Sequence, residues 1–243
     1  MKQQVFVIHG GTAFDTYEEY ISYLQKKEVS LEKLLGRDWK LNLQDNLGSD
    51  YEVFLPKMPN AQNAVYKEWC IWFEKFLPLL DDGVILVGHS LGAVFLAKYL
   101  SEHDVLIGPE NLDEIHEETR IFKETYTLYG DGKINSFDKE GHQVVRSYKK
   151  RIKATLLVAP PFGRDLGEPL PQFSITESLT TFETQGGKIS IYHSKDDPVV
   201  DFAELAHYQA QLPEATANIF EDKGHFNMED FPEMVKEIRN ISH

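Results

Sequence analysis

Residues 84–93 read VILVGHSLGA, so a run of four aliphatic residues leads directly into a Gly-x-Ser-x-Gly pentapeptide. The aliphatic run predicts a buried strand, and residues 91–100 have the apolar spacing of a helix. The pentapeptide therefore falls on a sharp strand-to-helix turn, where small residues must flank a serine with strained backbone angles. Such a turn lifts a hydroxyl above the sheet edge, so Ser90 is predicted to be a nucleophile.

Apolar runs like this one alternate with segments of helical spacing along the chain. Buried strands are predicted at 5–8, 51–55, 84–87, 154–158, 189–192 and 217–220. Helices are predicted at 17–24, 64–77, 91–100, 203–212 and 231–241. This alternation predicts an α/β fold with a mostly parallel central sheet and helices on both faces. We find no internal repeat or linker, so residues 1–243 are expected to form one domain.

The stretch 103–151 interrupts the alternation and predicts an insertion within that domain. Its first half is acidic, and its second half contains YTLYGDGK at 126–133, a turn signal between two plausible strands. We expect a β-hairpin or small β-meander over 125–148. The helix after Ser90 runs away from the active edge of the sheet, which favours a role for the insertion as an oligomerisation or protein-partner surface rather than a lid.

A serine hydroxyl is a weak nucleophile and needs a base that a third group holds in the correct tautomer. His225 follows the last predicted strand, so it would lie at the same edge of the sheet as Ser90. The loop after the preceding predicted strand contains two adjacent aspartates. Asp197 is the predicted acid, and Asp196 is the alternative.

A glycine turn follows the first predicted strand and faces the Ser90 turn in this fold. Backbone N–H groups of this turn can complete an oxyanion hole together with the N–H of Leu91. Gly11 is the predicted donor, and Thr12 is the alternative. His9 and His89 are predicted to pack or to form hydrogen bonds rather than to act as bases.

Four segments together resemble the α/β-hydrolase superfamily, and the resemblance covers nearly the whole chain. The segments are HGG at 9–11, VGHSLG at 87–92, SKDDPVV at 194–200 and GHF at 224–226. Within the superfamily, LPKMP at 55–59 followed by Trp69 and the Ser90 turn resembles the small serine hydrolases grouped with retinoblastoma-binding protein nine.

The resemblance implies hydrolysis of a small carboxylic ester, thioester or amide through an acyl-enzyme. Ser90 would attack, His225 would act as general base and acid, and Asp197 would orient His225; this chain order is the one expected of α/β-hydrolases. No cofactor is implied. Some relatives in this group are better known as interaction proteins, so the alternative is a hydrolase-fold interaction module with little turnover.

Side chains that follow the carboxyl ends of predicted strands are the expected walls of the acyl pocket. The residues predicted to bind substrate are Thr12, Phe14, Phe162, Val199 and Phe226. For each aromatic residue the alternative is a place in the core. Residues 160–188 leave room for only a short cover over the pocket.

Composition excludes several other classes of function. The net charge of -14 and the pI near 5.1 disfavour nucleic acid and anionic membranes as partners. The nine histidines lack the compact spacing of metal ligands, so no metal site is expected, and the turn at Gly10 and Gly11 lacks the third glycine of a dinucleotide site. A single cysteine, Cys70, and the absence of a signal peptide or a membrane-length apolar run favour a cytoplasmic protein.

Overall fold

The computed structural model describes residues 2–31, 38–103, 127–129, 133–137, 143–147, 151–163, 170 and 172–242. The strands within these ranges are β1 (Gln3–Ile8), β2 (Tyr51–Phe54), β3 (Val84–His89), β4 (Thr127–Tyr129), β5 (Lys133–Phe137), β6 (Gln143–Ser147), β7 (Ile152–Val158), β8 (Lys188–Ser194) and β9 (Thr216–Phe220). The helices are α1 (Tyr17–Lys26), α2 (Trp39–Leu47), α3 (Tyr66–Glu74), α4 (Leu91–Glu102), α5 (Thr180–Gln185), α6 (Glu204–Gln211) and α7 (Pro232–Ser242), with a short 3-10 helix at Leu77–Leu79.

Six strands form one parallel sheet in the order β2-β1-β3-β7-β8-β9. Each of the six predicted strands corresponds to one of them, so the predicted fold class is confirmed. Parallel neighbours require crossover connections, and the helices that supply them cover the sheet. Because every strand points the same way, the loops after β1, β3, β8 and β9 emerge at one edge.

Side chains alternate between the two faces of the sheet and feed two separate cores. On β1, Phe6 and Ile8 belong to one core, which α3, α4, α5 and α6 cover. Val5 and Val7 belong to the other, which α2 and α7 cover. The predicted helices on both faces are therefore present.

Helix α2 has no counterpart among the predicted helices, and it becomes important at the site. It begins after Asp38, whose carboxylate accepts a hydrogen bond of 2.9 Å from the Lys40 N–H, and it ends at Gly48, where φ is 90°. An aspartate before the helix and a glycine after it are ordinary boundary signals. The nine residues between them lack a strong apolar period, which is why the helix was missed. Helix α5 was missed as well.

Strands β4, β5 and β6 form a second, antiparallel sheet in that order. They lie within 125–148, where a hairpin or meander is expected. Residues 104–126 lie outside the described ranges. The insertion over 103–151, its role as a partner surface and the single-domain organisation therefore stay predictions. In the described part of the chain, no helix is both long enough and apolar enough to cross a membrane.

Candidate active site

Ser90 lies on a strained turn between β3 and α4. Its φ of 54° and ψ of -121° fall in a region that residues other than glycine rarely occupy. The flanking glycines are required by space: a Cβ on Gly88 would lie 2.5 Å from the Ala93 Cα, and a Cβ on Gly92 would lie 2.4 Å from the Ile8 carbonyl oxygen. The turn therefore has the geometry expected of a nucleophile elbow.

His225 follows β9 and contacts a buried carboxylate. Its Nδ1 lies 2.9 Å from Asp197 Oδ2, and the Asp197 side chain is fully shielded from solvent. Burial by itself would raise the pKa of Asp197, but hydrogen bonds from His225 and from the N–H groups of Val200 and Val199 outweigh it and lower that pKa. An ionised Asp197 can only accept, so Nδ1 is the donor in this contact, which in a neutral imidazole leaves Nε2 with its lone pair.

The neighbouring Asp196 has a different function in the same loop. Its Oδ1 accepts hydrogen bonds from the Ser194 hydroxyl at 2.6 Å and from the Gly224 N–H at 2.8 Å. These two bonds lower the pKa of Asp196. Asp196 therefore fixes the backbone that leads into His225, while Asp197 is the carboxylate that contacts the imidazole.

Three backbone carbonyls of the His225 loop are held from outside the loop. His89 Nε2 donates to the His225 carbonyl at 2.9 Å. Trp39 donates twice, from its indole Nε1 to the Phe226 carbonyl at 3.0 Å and from its backbone N–H to the Met228 carbonyl at 2.9 Å. Sequence reasoning missed Trp39, because it lies on the helix that was not predicted.

His89 is a buried neutral imidazole that joins the Ser90 turn to the His225 loop. Burial lowers its pKa well below the ordinary value, and the nearby charge of Lys40 lowers it further. Its Nε2 holds the proton that is donated to His225, so its Nδ1 is free to accept from Lys40 Nζ at 3.4 Å. Lys40 is itself buried and paired with Asp38 at 2.7 Å. The rings of His89 and His225 lie 5.0 Å apart between centroids, so the residue next to Ser90 packs close to the His225 ring.

The glycine turn after β1 packs directly against the Ser90 turn. A Cβ on Gly10 would lie 3.1 Å from the Ser90 Cβ. His9 supports this turn from its Nδ1, which donates to the Gly10 carbonyl at 2.7 Å, and its Nε2 accepts from the Met58 N–H at 2.9 Å. Leu91 is the first residue of α4, a position whose N–H has no acceptor within its own helix.

Two residues, Gly11 and Thr12, are candidates for the second oxyanion donor beside the Leu91 N–H. They differ in the hydrogen bonds that they already form. The Thr12 N–H donates to the Ala61 carbonyl at 2.9 Å, so it is already engaged. Gly11 lies so close to the same carbonyl that a Cβ would come within 2.5 Å of its oxygen. This geometry favours Gly11 over Thr12 as the second oxyanion donor.

A cavity of about 70 Å³ opens beside Ser90 and Leu91. Of the predicted pocket residues, Thr12 and Val199 line it. The three aromatic residues lie elsewhere: Phe162 and Phe226 are fully buried members of the two cores, and Phe14 contacts Tyr20 and Tyr23. Their rings pack against these neighbours in the described structure, and their role in binding substrate stays a prediction.

The parallel sheet, the strained turn at Ser90 and the Asp197–His225 pair at one sheet edge define the class of α/β hydrolases. The chain belongs to the alpha/beta hydrolase family, whose model matches residues 5–238. No curated protein matches the sequence significantly.

Solved structures share this fold. The ydeN gene product of B. subtilis has 17% sequence identity and a TM-score of 0.62, with 99% of each chain covered. The meta-cleavage product hydrolase from Pseudomonas fluorescens has 13% identity and a TM-score of 0.55, with 99% of this chain and 90% of that chain covered. Est1E from Butyrivibrio proteoclasticus has 11% identity and a TM-score of 0.51, with 99% and 87% covered. At these identities the likeness is one of fold, and the finer resemblance to the retinoblastoma-binding protein nine group stays a prediction.

Proposed function

We propose that this chain is a serine hydrolase that cleaves a small carboxylic ester, or a thioester or amide, through an acyl-enzyme on Ser90. The observation that carries the proposal is the contact between His225 Nδ1 and the buried carboxylate of Asp197, in a loop that His89 ties to the Ser90 turn. Membership of the hydrolase family supports the same class of reaction.

In the first half of the reaction, the Ser90 oxygen attacks the carbonyl carbon of the substrate. His225 Nε2 accepts the hydroxyl proton, and the resulting imidazolium is stabilised by Asp197, which stays ionised. The proton then passes from His225 to the leaving group, and the acyl group remains on Ser90. The lowered pKa of Asp197 supports this role, because the carboxylate must be charged for Nδ1 to keep its proton.

Negative charge develops on the carbonyl oxygen during the attack, and the N–H groups of Leu91 and Gly11 are the proposed donors to it. One donor of this kind typically contributes about 10²–10³ in rate. In the second half of the reaction a water molecule loses a proton to His225 and attacks the acyl-enzyme. This releases the acid and restores Ser90.

The cavity supports a short acyl group. One water molecule needs roughly 10–15 Å³ of cavity volume. A cavity of about 70 Å³ therefore has room for a group of a few non-hydrogen atoms. The proposed acyl group is of about the size of a butanoyl chain.

Labelling with a fluorophosphonate probe tests the proposal, because the probe reacts only with an activated serine. The native protein should be labelled, and Ser90→Ala and His225→Ala should not be. Ser178→Ala is a matched control, since Ser178 is an exposed serine that hydrogen-bonds Thr180 and lies outside the cavity.

Hydrolysis of 4-nitrophenyl butanoate by the same four proteins gives a second readout, and circular dichroism checks that each is folded. Equal labelling of native and Ser90→Ala protein, or no labelling of folded native protein, would overturn the proposal.

A further inference from the structure

A buried carboxylate that the mechanism does not use lines the same cavity as Ser90. Glu204 is the first residue of α6 and is only 2% exposed. Its Oε2 accepts hydrogen bonds from the N–H groups of Phe162 and Gly163. Its Oε1 is buried and, among the residues that the structure describes, has no hydrogen-bond partner.

An unpaired buried oxygen of this kind carries a free-energy cost. Leaving a buried acceptor unsatisfied is unfavourable, and more so when the group is charged. A ligand that brings a donor to Oε1 removes this cost and gains a charge-assisted hydrogen bond. The unpaired Oε1 of Glu204 therefore favours a ligand that carries an N–H or O–H group close to this side chain.

The charge of the cavity lining indicates whether the ligand that carries this donor is cationic, neutral or anionic. Its ionisable residues in the described part of the chain are Asp201 and Glu204, both acidic. The Asp201 carboxylate accepts from the Ala203 N–H at 2.8 Å. Within the described lining, these two carboxylates repel an anionic acyl group and attract a cation.

We propose that Glu204 is a specificity-determining residue that binds the ammonium group of a short amino-acyl substrate. The inference rests on the proposed function of Ser90, which places the acyl carbonyl in the same cavity as Glu204. An amine that lies a few bonds from the carbonyl fits the cavity volume of about 70 Å³. The substrate class is thus an ester or amide of a small amino acid rather than of a simple fatty acid.

Two esters that differ in a single group test this proposal. The 4-nitrophenyl esters of butanoic acid and 3-aminopropanoic acid have the same length, and a methyl group in one replaces the ammonium group in the other. The native protein should prefer the amino ester in kcat/KM by about 10–100-fold, as expected for a charge-assisted hydrogen bond of about 1.5–3 kcal/mol.

Glu204→Gln keeps an amide oxygen for Phe162 and Gly163 but removes the negative charge. It should abolish the preference, mainly by raising KM for the amino ester, while butanoate hydrolysis continues. Glu214→Gln is the charge-matched control, because Glu214 is exposed and lies outside the cavity lining. It should keep the preference.

Two results would overturn the inference: a native protein that does not prefer the amino ester, or a preference that survives in Glu204→Gln. An equal fall in kcat/KM for both esters in Glu204→Gln would also count against it. That result would indicate that Glu204 only holds the backbone at Phe162 and does not bind the ammonium group.

A binding measurement separates this inference from the proposed function. We expect 3-aminopropanamide to bind Ser90→Ala more tightly than butanamide in an NMR titration, and Glu204→Gln in the same background to remove the difference. Cation-selective binding without Ser90-dependent hydrolysis would refute the proposed function and retain the Glu204 site. Equal binding of both amides would refute the site whatever the esters show.

Discussion

Replacing Trp39 with phenylalanine should loosen the loop that carries His225. Trp39 is 1% exposed, and its indole Nε1 donates to the Phe226 carbonyl. Phenylalanine keeps an aromatic ring but has no donor, so this carbonyl loses its indole partner. The backbone bond from residue 39 to Met228 does not depend on the side chain and should remain.

The expected loss of stability follows from these two changes. Leaving a carbonyl unpaired costs about 1–3 kcal/mol. The two ring carbons that are lost along with the nitrogen add about 1.5 kcal/mol, at about 0.8 kcal/mol for each buried CH₂-sized group. The free energy of unfolding should therefore fall by about 2.5–4.5 kcal/mol, and Tm by about 5–18 °C at 2–4 °C per kcal/mol for a chain of this size.

The expected loss of activity comes from misplacement of His225. A shift of about 1 Å in a catalytic group can cost about 10²-fold in rate, so kcat for 4-nitrophenyl butanoate should fall by roughly 10–100-fold at a temperature where the variant is folded. Trp69→Phe is the matched control. Trp69 is also fully buried, and its Nε1 donates to the Pro59 carbonyl at 2.8 Å, but in the other core.

Urea unfolding and steady-state kinetics on both variants separate stability from positioning. Trp69→Phe should lose a similar amount of stability and keep most of its kcat. If both variants lose kcat equally, or if Trp39→Phe keeps the native rate, the idea that Trp39 positions the His225 loop is wrong.

Three further changes test other parts of the site. Asp197→Asn should lower kcat by about 10⁴-fold because the imidazole loses its orienting carboxylate, and Asp196→Asn should lower it far less; equal losses in ester hydrolysis would contradict the two assigned functions. Gly92→Ala should lower the free energy of unfolding by about 3 kcal/mol or more, since its Cβ would meet the Ile8 carbonyl at 2.4 Å, and an unchanged Tm would refute that contact. The pKa of His89 is lower in the folded state than its value of about 6.5 in the unfolded state. The contribution of His89 to the free energy of unfolding is therefore fully present above about pH 6.5 and is lost as the pH falls below it. Between about pH 7.5 and 5.5 the native protein should therefore lose more stability than His89→Gln, by up to about 1.4 kcal/mol, and parallel pH profiles from urea unfolding would contradict this.

Local patterns were enough to predict the sheet and the loops that carry Ser90, Asp197 and His225. Ser90, Asp197 and His225 each follow a strand with a clear apolar run, and parallel strands bring such positions to one edge. The choice between Gly11 and Thr12 needed the hydrogen bond from Thr12 to Ala61, which no local pattern announces.

The supporting residues could not be predicted in the same way. Trp39 contacts the Phe226 carbonyl across 187 positions of sequence, and its helix lacks a strong period. The apolar character of Phe162 and Phe226 predicted burial, but it did not specify whether a core or a cavity would receive the ring. No sequence pattern marks Glu204, because only its three-dimensional surroundings in the described part of the chain reveal an oxygen without a hydrogen-bond partner.

The long span between Trp39 and the His225 loop has a consequence for how the protein is made. A ribosome delivers the chain from its amino end, so Ser90 and its turn are synthesised well over a hundred residues before His225. Until β9 and the loop after it have emerged and docked against Trp39 and His89, the nascent chain carries a serine without a base. An enzyme of the proposed kind is therefore inactive during its own translation. It becomes active only when the last strand of the sheet and the loop after it are in place.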